Sequence, residues 1–114
     1  MLAFFAMRTH EEIDRRSLEL ARAVVSAIDG DPARAGLESA RANCERWFRA
    51  HPSSALAEWR EILNREWDEI RRLLLAEDDH SRRLRQSSPF CGILSPRERW
   101  AIYRRFAHDE PHAA

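Results

Sequence analysis

The residues best suited to chemistry are arginines gathered near the C-terminal end of the chain. Residues 82–106 contain seven arginines and one acidic residue, Glu98, whereas the whole chain holds 19 basic and 19 acidic residues and has no net charge. Arginine presents a planar fork of N–H donors that binds carboxylates and phosphates in a bidentate manner. This local excess of positive charge predicts a surface that contacts a partner of complementary charge.

Other groupings of reactive residues are weak. The three glycines, Gly30, Gly36 and Gly92, are isolated, so they form no glycine-rich phosphate loop. The two cysteines, Cys44 and Cys91, stand far apart, which argues against a zinc site built on paired ligands. We therefore expect neither a metal nor another cofactor.

One enzymatic pattern does occur. Small helical ribonucleases can use an arginine followed after four to six residues by a histidine, and Arg46 with His51 and Arg105 with His112 have this spacing. With 19 basic residues, all of them arginine, and five histidines in 114 positions, about two such pairs arise by chance. The pattern therefore carries no information, and we expect no enzyme.

Length and composition favour one compact domain. The chain has 114 residues, of which 44% are hydrophobic and 33% charged, enough apolar material for a single core. Arginine without lysine is typical of a GC-rich bacterial genome, and two unpaired cysteines are typical of a reducing cytoplasm. The apolar start is too short for a signal peptide or a membrane span. We predict a flexible extension at 1–8, a helical domain at 9–107 and a frayed tail at 108–114.

Apolar residues at helical spacing predict an all-α bundle of five or six short helices. A capping box at Thr9–Glu12 predicts that the first helix begins at His10, and Asp29-Gly30 ends it. The second helix is predicted to start at Asp31-Pro32, with Asp31 as N-cap.

The second helix is expected to run to Ala50 with Trp47 and Phe48 in its buried stripe. Ser53 or Ser54 then caps a stripe from Leu56 to Leu74, which reads as one long helix or as two. We place a break near Asn64, because its side chain competes with the helix by local hydrogen bonding.

An acidic turn at 77–79 precedes a short helix through about Gln86. Residues 87–94 are predicted to form a loop because Pro89 and Gly92 break helices, and its apolar residues predict that the loop packs against the core. Ser95-Pro96-Arg97-Glu98 combines an N-cap serine, proline at the first helical position and a capping-box glutamate. It predicts a last helix from Pro96 to about Ala107.

The predicted buried side of this last helix contains Trp100, Tyr103, Phe106 and Ala107, with Ile102 at its margin. Arg99 falls within the same stripe. A buried charge needs a partner, so we expect Arg99 to pair with an acid of the first helix or of the 77–79 turn, or else to await an external anion. By contrast, Arg97, Arg104 and Arg105 are expected on the solvated face.

The same region carries a family resemblance. LeuArgGlnSerSerProPhe (84–90), GlyIleLeu (92–94), ProArgGluArgTrp (96–100) and IleTyr (102–103) together resemble the C-terminal signature LRQSSPFxGxLxPRERWxIY of small all-helical bacterial proteins. These proteins are associated with nucleotidyltransferase-type toxins of toxin–antitoxin systems. A looser likeness extends to residues 13–20, 40–47 and 59–63.

The resemblance implies an antitoxin-like protein that neutralises a nucleotidyltransferase-type partner and has no catalysis of its own. It implies that the recognition surface or its support includes Arg85, Gln86, Ser87, Ser88, Pro89, Phe90, Arg97, Glu98, Arg99 and Trp100, to which we add Arg104 on the same helix. The alternatives are a helical nucleic-acid-binding regulator that uses the basic stretch at 82–106, and a small RNA-processing enzyme.

Overall fold

The computed structural model describes the backbone of residues 2–109 and the side chains of residues 11–106. Over this range the protein is all-α and has no strand, as predicted. Its helices are α1 (Leu2–Asp29), α2 (Ala35–Ala50), α3 (Ser54–Ile62), α4 (Trp67–Leu75), α5 (Asp79–Gln86) and α6 (Pro96–Asp109). None of the helices described is both long and apolar enough to cross a membrane.

Helix α1 is longer than the sequence predicts. It begins at Leu2, so Thr9 lies inside the helix and the predicted start at His10 is wrong. Residues 2–8 contain no proline or glycine that would stop a helix, and their alanines, leucine and methionine favour one. The flexibility of residues 1–8 stays a prediction. So does the frayed tail, since residues 110–114 lie outside the described range.

Helix α2 begins at Ala35, later than predicted. The Asp31 carboxylate accepts the backbone N–H of Ala33 at 3.0 Å and that of Ala35 at 2.9 Å. Between them Arg34 takes the N-cap position in the left-handed region, with φ of 50°. Because a left-handed residue interrupts the helical path, Asp31 caps a turn that precedes α2 and is not the N-cap of the helix.

The predicted break near Asn64 is confirmed, since α3 ends at Ile62 and α4 starts at Trp67. The Asn64 side chain makes no hydrogen bond to the residues described, so local side-chain bonding does not explain the break. The turn instead allows the consecutive residues Ile62 and Leu63 to be buried together with Trp67. Packing therefore sets the position of this break.

The starts of α3 and α5 follow local capping. The Ser53 hydroxyl accepts the N–H of Leu56 at 3.1 Å and so caps α3. At α5 the Asp78 carboxylate accepts the N–H of Ser81 at 2.8 Å, which lowers the pKa of Asp78. The short helix after the acidic turn is thus confirmed, together with its end at Gln86.

The core is centred on Trp59 and draws on all six helices. The Trp59 indole N–H donates to the Leu84 carbonyl oxygen at 3.0 Å, and its ring meets Phe90 edge-on at a centroid distance of 5.8 Å. Burial of both polar and apolar parts of tryptophan fixes α3 against α5 and the loop after it. The remaining buried core includes Val25, Ile28, Leu37, Ala40, Cys44, Ile62, Trp67, Ile70, Leu74, Leu94 and Ile102.

Trp47 and Phe48 do not belong to this buried core, contrary to the prediction. Both are half-buried. The Arg60 guanidinium covers the Phe48 ring at 4.5 Å and bonds to the Glu45 carboxylate at 2.6 Å. The last turn of α2 lies at the edge of the bundle, where charged side chains cover aromatic faces that no apolar element reaches.

Candidate functional site

The loop predicted at 87–94 packs against the bundle, as expected. Pro89, Phe90 and Leu94 are buried, and the Asn43 side-chain amide of α2 donates to the carbonyl oxygens of Pro89 at 3.1 Å and Cys91 at 3.4 Å. These contacts hold the backbone of the loop in place although it has no regular structure. A fixed loop is a suitable support for a binding surface.

Helix α6 starts at the end of this loop with the predicted capping box. The Ser95 hydroxyl accepts the N–H of Glu98 at 3.1 Å, and the Glu98 carboxylate accepts the N–H of Ser95 at 2.9 Å. Hydrogen bonds from the backbone N–H and the side chain of Ser95 lower the pKa of the Glu98 carboxyl group. Both donors at the start of α6 are satisfied, so the direction of the helix is fixed where it leaves the loop.

The orientation of α6 differs from the prediction. Ile102, expected at the margin, is buried, whereas Trp100, expected in the core, is 63% exposed. Tyr103 and Phe106 are half-buried, and Arg99 is exposed. The helix packs mainly on α1, through one edge of its apolar side, so the rest of that side stays partly exposed.

Among the residues whose side chains are described, the buried arginine is Arg85. It is 8% exposed, and its Nη1 donates to the carbonyl oxygens of Leu74 at 2.9 Å and Ala76 at 2.6 Å. Those two carbonyls lie at the C-terminal end of α4, where no helical N–H reaches them. Burial lowers the pKa of Arg85, and the charge of Asp14 opposes that shift. Arg85 therefore stabilises the end of α4 while remaining charged.

Arg85 retains unused hydrogen-bonding capacity. Its Nε is buried and has no hydrogen-bond partner, and both of its hydrogen bonds to the residues described come from Nη1. Sequence reasoning assigned the buried charge to Arg99 and missed Arg85. The pattern was nevertheless present, because Ser81, Leu84 and Arg85 have the spacing of one helix face and all three are buried.

A cavity of about 460 Å³ lies beside Arg85, between α1, α4, α5, the loop and α6. We call it the α1–α6 cavity. Its apolar wall is formed by Leu20 and Val24 of α1, Leu74 of α4, and Phe90 and Leu94 of the loop. The polar residues that line it are Arg16, Ser17, Arg85, Gln86, Ser88 and Arg99. No acidic side chain contributes to the lining that the structure describes.

Two of the cavity arginines lie on facing helices. Arg16 of α1 stands over the Tyr103 ring of α6, with its guanidinium carbon 5.4 Å from the ring centroid. Arg99 lines the cavity from α6 and makes no ion pair with a described residue, so the predicted internal partner for it is not found. Instead, the ion pair between α1 and α6 joins Glu19 and Arg105 at 3.7 Å.

The structure divides the predicted recognition residues into two groups. Those that line the α1–α6 cavity are Arg85, Gln86, Ser88, Phe90 and Arg99, with Ser87 and Pro89 beside them in the chain. The others, Arg97, Glu98, Trp100 and Arg104, are exposed on α6 and do not line the cavity. We call Arg97, Trp100 and Arg104 the outer face of α6.

Sequence reasoning missed the α1 side of the cavity, formed by Ile13, Arg16, Ser17 and Leu20. Arg16 lies between apolar residues at helical spacing, three positions after Ile13 and four before Leu20. Arg16 therefore has the same pattern that singled out Arg99, and the sequence alone could have identified it.

The remaining reactive groups do not form a site. Over residues 11–106 no three histidine, cysteine or acidic side chains come together in a metal-binding cluster. Cys44 is buried, which raises its pKa, and Cys91 is exposed. His51 is exposed at the end of α2, and His112 lies outside the described residues.

Fold and site together define a small all-α bundle with an arginine-lined cavity and an exposed arginine–tryptophan helix face. Searches for similar proteins give no match among protein-family models, curated proteins or solved structures.

Proposed function

We propose that the protein is an antitoxin-like binding module that acts in the cytoplasm and neutralises a nucleotidyltransferase-type partner without catalysis of its own. The sequence resemblance at residues 84–103 motivates this proposal. The outer face of α6 supports it, because it offers an aromatic side chain and cationic groups on a helix whose start is fixed by capping.

Trp100 is the observation that carries the proposal. It is 63% exposed, although tryptophan is among the residues with most to gain from burial. Tyr103 meets its ring edge-on at 6.3 Å, which limits its movement. Tryptophan and arginine are the residues most enriched among those that dominate protein–protein binding energy, and Arg97 and Arg104 lie on the same face.

The chemistry of the proposed partner agrees with that face. A nucleotidyltransferase uses carboxylates to hold its metal ions and binds nucleotide phosphates. Arginine pairs with either group through two parallel hydrogen bonds. An arginine-bearing helix could therefore occupy such a pocket and block it.

The test is co-expression with the product of the adjacent gene, followed by co-purification and measurement of affinity. Trp100→Ala should weaken a complex by about 30-fold or more. Ile13→Ala is the control, because Ile13 is the other large hydrophobic residue that is exposed in the described structure, at 39%, and it lies on α1. Equal affinity for wild type and Trp100→Ala would remove the outer face of α6 from the proposed mechanism.

The charges on that face can be tested separately. The double variant Arg97→Glu/Arg104→Glu should weaken the complex most at low salt, where charges are least screened. A control with the same change in net charge is Arg49→Glu/Arg72→Glu, whose arginines are exposed on α2 and α4. If both double variants weaken binding equally, the effect comes from overall charge and not from this face.

A second candidate is a nucleic-acid-binding regulator. A buried Trp100 would count against this function, and its 63% exposure removes that objection. An exposed aromatic ring between arginines can stack on an unpaired base. A shift of single-stranded RNA or DNA that falls with salt and is lost in Trp100→Ala would favour this function over the first.

A further inference from the structure

The α1–α6 cavity has a chemistry that the proposed function does not use. Its volume of about 460 Å³ lies in the range of small-molecule sites, which are mostly apolar with a few placed polar groups. Five segments of the chain surround it, so it is shaped for a compact ligand more than for a flat protein surface. A ligand in this cavity is compatible with an antitoxin role and does not depend on one.

The polar part of the cavity is strongly cationic. Arg16, Arg85 and Arg99 reach it from three different helices, and the described lining contains no carboxylate that would balance them. Arg16 and Arg99 form no ion pair with a described residue, so an anion is the ligand class that these side chains favour.

Arg85 is the buried charged residue of this site. More than nine-tenths of the residue is buried, and two carbonyl oxygens are the only hydrogen-bond acceptors it has among the described residues. The charges of Asp14, Glu77 and Asp78, which do not line the cavity, partly offset the cost of burying this guanidinium. An anion in the cavity would add to that stabilisation.

The apolar part restricts the anion further. Leu20, Val24, Leu74, Phe90 and Leu94 line the rest of the cavity, and a small inorganic ion would leave that wall uncovered. An aliphatic chain would cover it and gain the transfer free energy of each buried methylene.

From this arrangement we propose that the α1–α6 cavity binds an amphipathic carboxylate, a small molecule with a carboxylate at the arginines and an aliphatic tail on the apolar wall. The carboxylate accepts hydrogen bonds from Arg99 and Arg16 at the cavity mouth and lies within the field of Arg85. The tail extends between α1 and the loop. Binding is non-covalent, and the ligand is unchanged.

Decanoate is the probe, and two related molecules test the contributions of its carboxylate and its aliphatic tail separately. Decanol keeps the tail without the charge, and butyrate keeps the charge without most of the tail. In titration calorimetry with the full chain, decanoate should bind at least about tenfold more tightly than either relative, because charged hydrogen bonds and methylene burial both contribute. Equal affinity for decanol, or no binding of decanoate at about 1 mM, would overturn the proposal.

Cys91 provides a second, local readout. It is exposed in the loop and lines the cavity, whereas Cys44 is buried in the core. Saturating decanoate should slow alkylation of Cys91 several-fold, and decanol at the same concentration should not. An unchanged Cys91 rate alongside calorimetric binding would place the ligand elsewhere and refute this site.

Variants separate the site from general charge effects. Arg99→Gln should weaken decanoate binding about tenfold or more, while Arg104→Gln, which removes an exposed charge outside the cavity on the same helix, should not. Ser17→Phe keeps every arginine and fills part of the cavity, so it should abolish binding. Circular dichroism verifies that each variant is folded. Equal effects of Arg99→Gln and Arg104→Gln would show non-specific attraction and contradict the proposal.

This experiment is independent of the partner test. Ser17→Phe changes the cavity and leaves the outer face of α6 intact, whereas Trp100→Ala does the reverse. A chain that binds decanoate but no nucleotidyltransferase would support the cavity inference alone, and the opposite result would support the binding module alone.

Discussion

The outer face of α6 and the α1–α6 cavity are built largely from the same stretch of sequence, yet they hold similar side chains in opposite ways. The outer face exposes Trp100 to solvent, whereas the cavity region buries Phe90 against Trp59. The arginines differ in the same manner: Arg104 is solvated and Arg85 is bonded inside the protein. The same stretch therefore contributes side chains both to the buried core and to the exposed surface.

Replacing Phe90 or Trp100 should give the largest difference in the free energy of unfolding between the two regions. Phe90→Ala should lower the free energy of unfolding by about 4 kcal/mol, because it leaves a cavity and removes the edge-on contact with Trp59. Trp100→Ala should change it by less than about 0.5 kcal/mol, since the side chain is mostly solvated. Urea denaturation of the two variants measures both. Similar losses would mean that Trp100 is buried in solution and that the two regions do not differ.

Replacing Arg85 or Arg99 should give the next largest difference in the free energy of unfolding. Arg85→Met should cost about 3 kcal/mol, because two buried carbonyl oxygens at the end of α4 lose a charged donor. The matched variant Arg99→Met removes an exposed arginine that pairs with no described acid, and should cost less than about 0.5 kcal/mol. If the two variants lose the same free energy of unfolding, Arg85 does not stabilise the fold more than Arg99 does.

The local features of both regions could be predicted from the sequence. The capping box at Ser95 and the packed loop at Pro89 depend on neighbouring residues, and both are confirmed. The orientation of α6 was wrong because a helical wheel shows which residues share a side but not which edge of that side meets α1. Ile102, and not Trp100, occupies that edge.

The cavity was harder to predict for a related reason. Its walls come from segments far apart in the sequence, and Arg16 meets Tyr103 only after α1 and α6 have packed. Arg85 was missed although it lies four positions after the buried Ser81 on the same face of α5, because the carbonyls that compensate its charge lie at the end of another helix. Helix periodicity therefore identifies positions that share a face but not the partners that they meet.

A smaller effect on the free energy of unfolding is expected at the start of α6, where the two regions meet. Ser95→Ala removes the hydroxyl that accepts the Glu98 N–H, and should cost about 1 kcal/mol. Ser54→Ala is the control, because Ser53 and not Ser54 caps α3. An equal cost for the two variants would contradict a capping role for Ser95. If Ser95→Ala also weakens both decanoate and partner binding, the start of α6 positions both regions.

The smallest effect concerns pH and the other half of the same capping box. Hydrogen bonds from Ser95 lower the pKa of Glu98 from its ordinary value of 4.5. A carboxyl group with a lowered folded-state pKa stabilises the protein above its unfolded-state pKa, and that stabilisation is lost as the pH falls through the folded-state value. Between about pH 5 and pH 3 the unfolding free energy of Glu98→Gln should therefore fall less steeply than that of the wild type. A Glu98→Gln slope equal to that of the wild type would mean that the Glu98 carboxylate does not hold the start of α6.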